Sequence, residues 1–442
     1  MSMSYNIVNA MIVNEGTVTA GDLSVASGRI LGVNVPAPPA AEVVDAAGAY
    51  LLPGMIDDQV HFREPGFEHK ATIKTESRAA VGGGVTSYLE MPNCNPQTVK
   101  AIALEDKHTR AAAGSMANYG FYLGATNDNL EAIKSVDQRL ACGIKIFMGS
   151  STGNMLVDDE RTLNGIFAAS PLIIATHCEH TPTILANEAA AKARYGDDIP
   201  FTEHPHIRSA DACYQSSSLA TELARRHGAR LHVLHITTAR ELPLFEKGDL
   251  ADKRITAEAC VHHLFFNDTA YPRKGARIKC NPAIKSAADQ QALWAAVNDN
   301  RIDVIATDHA PHTTEEKARP YAQAPAGLPL VQHALLTLFE HVRAGTFSIE
   351  KVVDKTAHAP ARLFGIKERG FIREGYWADL VLVDPGTPTS NGPIFSKCGW
   401  SPFSDIVFGS RVRMTWVNGE LRYRNGDFQT GSGGRALEFE RP

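Results

Sequence analysis

Six short apolar runs recur along the middle of the chain: GVTSYLEM, YGFYLG, GIKIFMG, LIIATHC, LHVLHI and DVIATDH. Longer stretches separate them, among them NDNLEAIKSVDQRL, SSSLATELARRHG and AADQQALWAAVND, whose apolar residues fall at helical spacing. A buried strand followed by an amphipathic helix has few folded solutions once it repeats. Each helix must cover the sheet and return the chain so that the next strand lies parallel to the last. The pattern predicts an α/β fold with a parallel sheet and enough units to close a (β/α)8, TIM-like barrel.

The ends of the chain read differently. The first fifty residues are rich in Val, Ile and Thr and are broken by the turn signals NEG, AGD and SGR, which suggests short antiparallel strands. The same texture returns after about residue 366 in GFIREGYWADLVLVD and in RVRMTWVNGELRYRNG with its Asn-Gly turn. The expected organisation is a small β-sandwich domain built from both termini, residues 1–53 and 366–442, around a barrel at 54–365. The final TGSGGRALEFERP is expected to be a loose tail. At 442 residues the chain is long enough for both parts.

Composition narrows the function. A net charge of -5 argues against nucleic acid or an anionic membrane as the main partner. The seven cysteines are scattered, with no CxxC pair, as in a reducing compartment. The start MSMSYNIVNAMIVNEG has no basic stretch leading into an apolar core, and no run is long enough to cross a bilayer. A cytoplasmic protein acting on a small molecule is expected.

Polar residues close the apolar runs. In GMIDDQVHFREPG, side chains two apart on a strand share a face, so Asp57, Gln59 and His61 would point together. Lys145, His177, His235 and Asp308 end other runs in the same way. Each would be buried without a partner, and unpaired buried ionic groups are costly. A dinuclear metal site is the most economical partner, and imidazole with carboxylate suits zinc. Lysine cannot ligate as an ammonium, but after reaction with CO2 its carbamate is a bridging anion. His262 and His263, adjacent on a strand, would face opposite ways and read as structural or supporting. Cys178 and Cys260 read as packing. The Ala- and Pro-rich segment from Thr313 to Pro329 has the composition of a lid.

The motifs DDQVHFREPG, GGVTSYLEMPNCNP, GIKIFMGSSTG, ATHCEH, LHVLHITT, TAEACVHHL, RIKCNPAI and IATDHAPH resemble, in order, those of dihydroorotases in the amidohydrolase superfamily. GYWADLVLVD is similar to that superfamily's closing β segment. The resemblance spans nearly the whole chain and implies reversible, zinc-dependent interconversion of dihydroorotate and N-carbamoyl-aspartate in pyrimidine synthesis. It implies one or two zinc ions, with His177 and His235 on one, carbamylated Lys145 bridging, and His61 with Asp308 on the other. It further implies Asp308 as general base and then acid. Arg63, Asn93 and His312 would contact the substrate carboxylate, Asn281 the ring. Family members often form homodimers or homotetramers.

One position departs from the pattern. The family usually has His-x-His after the first barrel strand, and this chain has Gln59-Val60-His61. A glutamine oxygen is a neutral and weaker zinc donor than imidazole. Gln59 is therefore a doubtful ligand, and the His61/Asp308 side should bind metal less tightly. A hydantoinase- or allantoinase-like enzyme, or an inactive subunit of a pyrimidine-pathway complex, are the alternatives.

Overall fold

The computed structural model describes residues 3–149, 155–389 and 392–441; the SSTG end of GIKIFMGSSTG lies outside the described residues. The first strands are β1 (Tyr5–Asn14), β2 (Thr17–Ala26), β3 (Arg29–Val33), β4 (Glu42–Asp45) and β5 (Tyr50–Pro53). Then come β6 (Met55–Val60), β7 (Val85–Glu90), β8 (Asn118–Gly124), β9 (Ala141–Phe147), β10 (Ile174–His177), β11 (Leu231–Val233), β12 (Ile255–Cys260) and β13 (Val304–Ala306). The last are β14 (Leu380–Thr389), β15 (Phe408–Val417), β16 (Glu420–Arg424) and β17 (Asp427–Phe428).

Strands β6 to β13 form one parallel sheet in sequence order. Its two edges meet where Val60 bridges His309 and the His61 N–H donates to the His309 carbonyl at 2.7 Å. These strands are buried on both faces, as βα units require, so the sequence shows near-continuous apolar runs. Helices such as Ala210–His227 cover the outside; this one starts on a Ser209 cap and stops at Gly228 in the left-handed region. The barrel expected from the sequence is present.

The strands of both termini form a single nine-stranded sheet in which β14 pairs antiparallel with β5, joining Leu380 to Pro53. The sheet is mixed rather than wholly antiparallel, since β1 runs parallel to β4 and β5. Along β1 a bulge between Ile7 and Ala10, with Asn9 at φ 56°, shifts the inward alternation, so that Tyr5, Ile7, Ala10 and Ile12 are all buried. Together with Leu23, Leu51, Leu380 and Trp416 they make a core separate from that of the barrel.

The C-terminal segment is not the loose tail expected. Leu437 is buried, its N–H donates to the Tyr119 carbonyl, and Ala436 bridges Tyr119. Arg441 donates to the carbonyls of Gln138, Ala141 and Phe364. The few apolar residues of ALEFE find a surface at the end of the barrel, and the arginine satisfies carbonyls that the strand ends leave open.

A buried polar knot ties sheet to barrel. Asp379 accepts from Arg369, from the Asn418 N–H at 2.7 Å and from Asn118 Nδ2 of β8 at 3.1 Å. Removing one partner of a buried pair strands the other charge. Asp379→Ala should cost about 3–5 kcal/mol, read as a lower denaturant midpoint, whereas Arg369→Met with Asp379→Leu should recover only part of that loss, because the Asn418 N–H keeps no acceptor.

Candidate active site

The polar strand tips converge on one pocket, lined among others by Gln59, His61, Lys145, His177, His235 and Asp308. It opens at the C-terminal ends of the strands. Gln59 lies on β6 and His61 just beyond it, Lys145 on β9, His177 at the end of β10, and His235 and Asp308 two residues beyond β11 and β13. Arg63, His235 and Asp308 adopt φ of 70°, 42° and 51°, a region that costs non-glycine residues energy. The bend turns each side chain off the strand line and toward the pocket axis.

Asp57 does not join its expected companions. Its carboxyl accepts from the Thr307 hydroxyl and main-chain N–H beneath the pocket. Burial pushes its pKa up to about 8, with the Thr307 bonds working against the shift.

Two histidines face each other at the far side. His177 Nδ1 and His235 Nε2 are 3.1 Å apart, and His177 Nε2 lies 3.2 Å from Glu179 Oε2. Burial holds both imidazoles below the ordinary histidine range, so their lone pairs are available at neutral pH. Burial raises the Glu179 pKa, but Arg208 and His177 outweigh it and draw the carboxyl down to about 2. A carboxylate behind an imidazole is the usual support of a ligating histidine. Glu179 did not figure in the sequence reading, although its place two residues after His177 in ATHCEH was a usable signal.

Lys145 Nζ is buried, makes no hydrogen bond, and rests 4.7 Å from the centre of the Phe147 ring. Burial lowers its pKa to about 8, with Asp308 and Glu258 partly offsetting the fall. A neutral amine is the form that attacks CO2, and the product would supply two anionic oxygens. On the near side, His61 places Nδ1 2.7 Å from Asn93 Oδ1 and Nε2 3.0 Å from Asp308 Oδ1. Gln59 aims Nε2 at the same Asp308 oxygen, 3.1 Å away, and its oxygen toward Cys260 Sγ at 3.8 Å. The amide thus presents donors, not its carbonyl, to the His61–Asp308 side. Neutral imidazoles, a carboxylate, an orphaned amine and a supporting acid fit a site for divalent cations.

The expected substrate contacts divide. Arg63, Asn93 and Asn281 line the pocket, and Asn281 Oδ1 is buried without a hydrogen-bond partner. Arg63 donates from Nε to the Pro311 carbonyl at 3.0 Å, and burial pulls its pKa to about 10. His312 stands behind it, its Nε2 3.0 Å from both Arg63 Nη2 and the Ala326 carbonyl. The segment expected as a lid is fastened: Lys317 Nζ donates to the carbonyls of Lys279, Pro325 and Gly327, at 2.9–3.1 Å. Gly327 lines the pocket at φ 140°, and a Cβ there would meet the Ala310 carbonyl at 2.6 Å.

The amidohydrolase family model matches residues 50–422. A dihydroorotase from Halobacterium salinarum is 36% identical over 85% of this chain and 87% of its own. An allantoinase from Bacillus velezensis is 31% identical over 96% of this chain and 95% of its own. Among solved structures, an L-hydantoinase from Arthrobacter aurescens superposes with a TM-score of 0.93 at 24% identity, covering 99% of this chain and 100% of that one, which speaks to the fold.

If Lys145 serves metal binding rather than packing, Lys145→Met should lower bound metal below one ion per chain by plasma emission. The metal-free variant should unfold no earlier than metal-free wild type, because a buried unpaired charge has been removed. A lysine needed only for stability would give the reverse pair of results.

Proposed function

The chain belongs to the amidohydrolase family as a metal-dependent cyclic amidohydrolase, and within that class we propose that it is a dihydroorotase, interconverting (S)-dihydroorotate and N-carbamoyl-L-aspartate. The observation that carries the reading is a buried arginine, Arg63, in the wall of the pocket with the rest of its guanidinium held by Pro311 and His312. A cation fixed in this way suits a substrate with its own carboxylate. The uncharged rings of hydantoins and of allantoin offer it no anionic partner.

His177 and His235, a carbamylated Lys145, and His61 with Asp308 would hold one or two zinc ions. Bound there, the metal supplies Lewis acidity that brings the pKa of water toward neutrality. Asp308 takes the proton of the attacking water as the new C–O bond forms. It returns that proton to the ring nitrogen as the C–N bond breaks, a base and then an acid on one carboxyl. Gln59 donates to the Asp308 oxygen and holds it in place for both transfers, and Asn93 orients His61 from behind. Asn281, with its oxygen unpartnered, is placed to accept from a ring N–H. His312 acts through Arg63, setting its plane.

Similar identities to a dihydroorotase and to an allantoinase make substrate comparison the direct test. Dihydroorotate should be turned over in preference to allantoin and to an unsubstituted hydantoin, and preference for an uncharged ring would sink the reading. Arg63→Met should lower kcat/KM for dihydroorotate about 10- to 150-fold, the value of a charge-assisted hydrogen bond of roughly 1.5–3 kcal/mol. Asp308→Asn should abolish turnover while leaving most of the metal bound. Unchanged activity in that variant would remove the proton transfer assigned to Asp308.

A further inference from the structure

Beside the pocket, and outside its lining, Cys260, His262 and His263 bring three ligand atoms within 4.8 Å of one another, all buried. We propose that Cys260 Sγ, His262 and His263 form an additional metal site for a thiophilic divalent cation of the zinc type, with Gln59 Oε1 as a fourth donor. The proposal does not depend on which cyclic amide the enzyme takes.

Local structure makes the cluster. Cys260 ends β12, and His262 and His263 lie in the helical turn Val261–Phe265 that follows directly. Adjacent residues on a strand would point to opposite faces, as expected from the sequence; on a helical turn they lie about 100° apart, and here the two rings sit 4.0 Å apart. His263 Nε2 lies 3.0 Å from the Pro282 carbonyl, which fixes the proton on that nitrogen. Nδ1 is left as a bare lone pair, buried with no hydrogen-bond partner. An imidazole with its N–H given to a main-chain carbonyl and its other nitrogen open is how proteins orient a metal-ligating histidine. His262 is buried beside the Thr307 main chain, yet neither ring nitrogen closes a hydrogen bond of ordinary geometry. Orphaned polar atoms are uncommon in protein interiors, and here they adjoin the sulfur.

The thiol and the two further imidazoles set this donor group apart from that of the catalytic pocket, with which it shares Gln59. Zinc–sulfur and zinc–nitrogen bonds of about 2.3 and 2.0 Å put tetrahedral donors roughly 3–4 Å apart, which small side-chain rotations supply from the separations seen. On binding, the Cys260 S–H bond breaks, its proton passes to Glu258 Oε1, which lies 3.4 Å from the sulfur, and the sulfur lone pair bonds the cation. Gln59 Oε1, 3.8 Å from Sγ, already faces this side, because Nε2 is committed to Asp308. The ion would clamp the amide that positions Asp308, which gives a physical use for glutamine at position 59.

The test uses the full chain, stripped of metal by a chelator and titrated with cobalt(II). The expected result is a near-ultraviolet sulfur-to-cobalt charge-transfer band. Cys260→Ser should lose the band and one cobalt equivalent per chain, and Cys178→Ser should keep both. A wild type that binds cobalt without the band, or a band that survives Cys260→Ser, overturns the site. Should Cys260→Ser fail to fold, zinc K-edge absorption of the wild type decides. A sulfur scatterer at about 2.3 Å supports the proposal, and a shell of nitrogen and oxygen alone defeats it. Turnover of dihydroorotate enters neither readout, so the two conclusions fail separately.

Discussion

An ammonium with nowhere to put its charge organises the centre of this molecule. Lys145 Nζ is buried at the tip of β9 with no hydrogen bond, close enough to Asp308 and Glu258 to feel both carboxylates. Neutral His177 and His235 complete one wall and offer lone pairs, not counter-charge. Such an assembly is poor as a folding device, since apolar side chains of the same volume would serve the core better. With Lys145 as its carbamate, the same groups would offer an anion and two lone pairs to a divalent cation. The left-handed backbone at His235, Asp308 and Arg63 carries the same message, because strain persists where a fixed side-chain direction is worth more than local ease.

The barrel was legible because burial on both faces writes long apolar runs, and the pocket because several of those runs end on a polar residue that a core would not choose. What escaped the sequence was set by contacts between distant segments. Glu179 matters through Arg208 and His177, and its place two residues after His177 hinted at a pairing whose other half, Arg208, lies on a distant segment. Asp57 has the right alternation for the pocket, but Thr307 captures it. The C-terminal segment has a loop's composition, and its few apolar residues dock because a vacant barrel end happens to match them. His262 and His263 do not face opposite ways because a helical turn replaces the strand from Val261 onward.

Catalysis and recognition sit on different kinds of structure. The groups that would handle the proton and the metal stand on or just beyond barrel strands, whose positions the hydrogen-bond ladder fixes. The surfaces that would judge a substrate's shape come from loops: Arg63 after β6, and the 313–329 segment held by the three carbonyls that Lys317 gathers. Loops tolerate replacement and strands do not. Relatives bearing the names dihydroorotase and allantoinase at similar identity are what such a division produces.

The pairing of β5 with β14 has a consequence for birth on the ribosome. Residues 50–53 emerge early, yet their outer edge finds its partner only when Leu380–Val383 have been made. At about 5–20 residues per second, that edge waits on the order of tens of seconds, with bare N–H and C=O groups able to recruit any passing strand. Until then the fold depends on whatever shields that edge of the nascent chain.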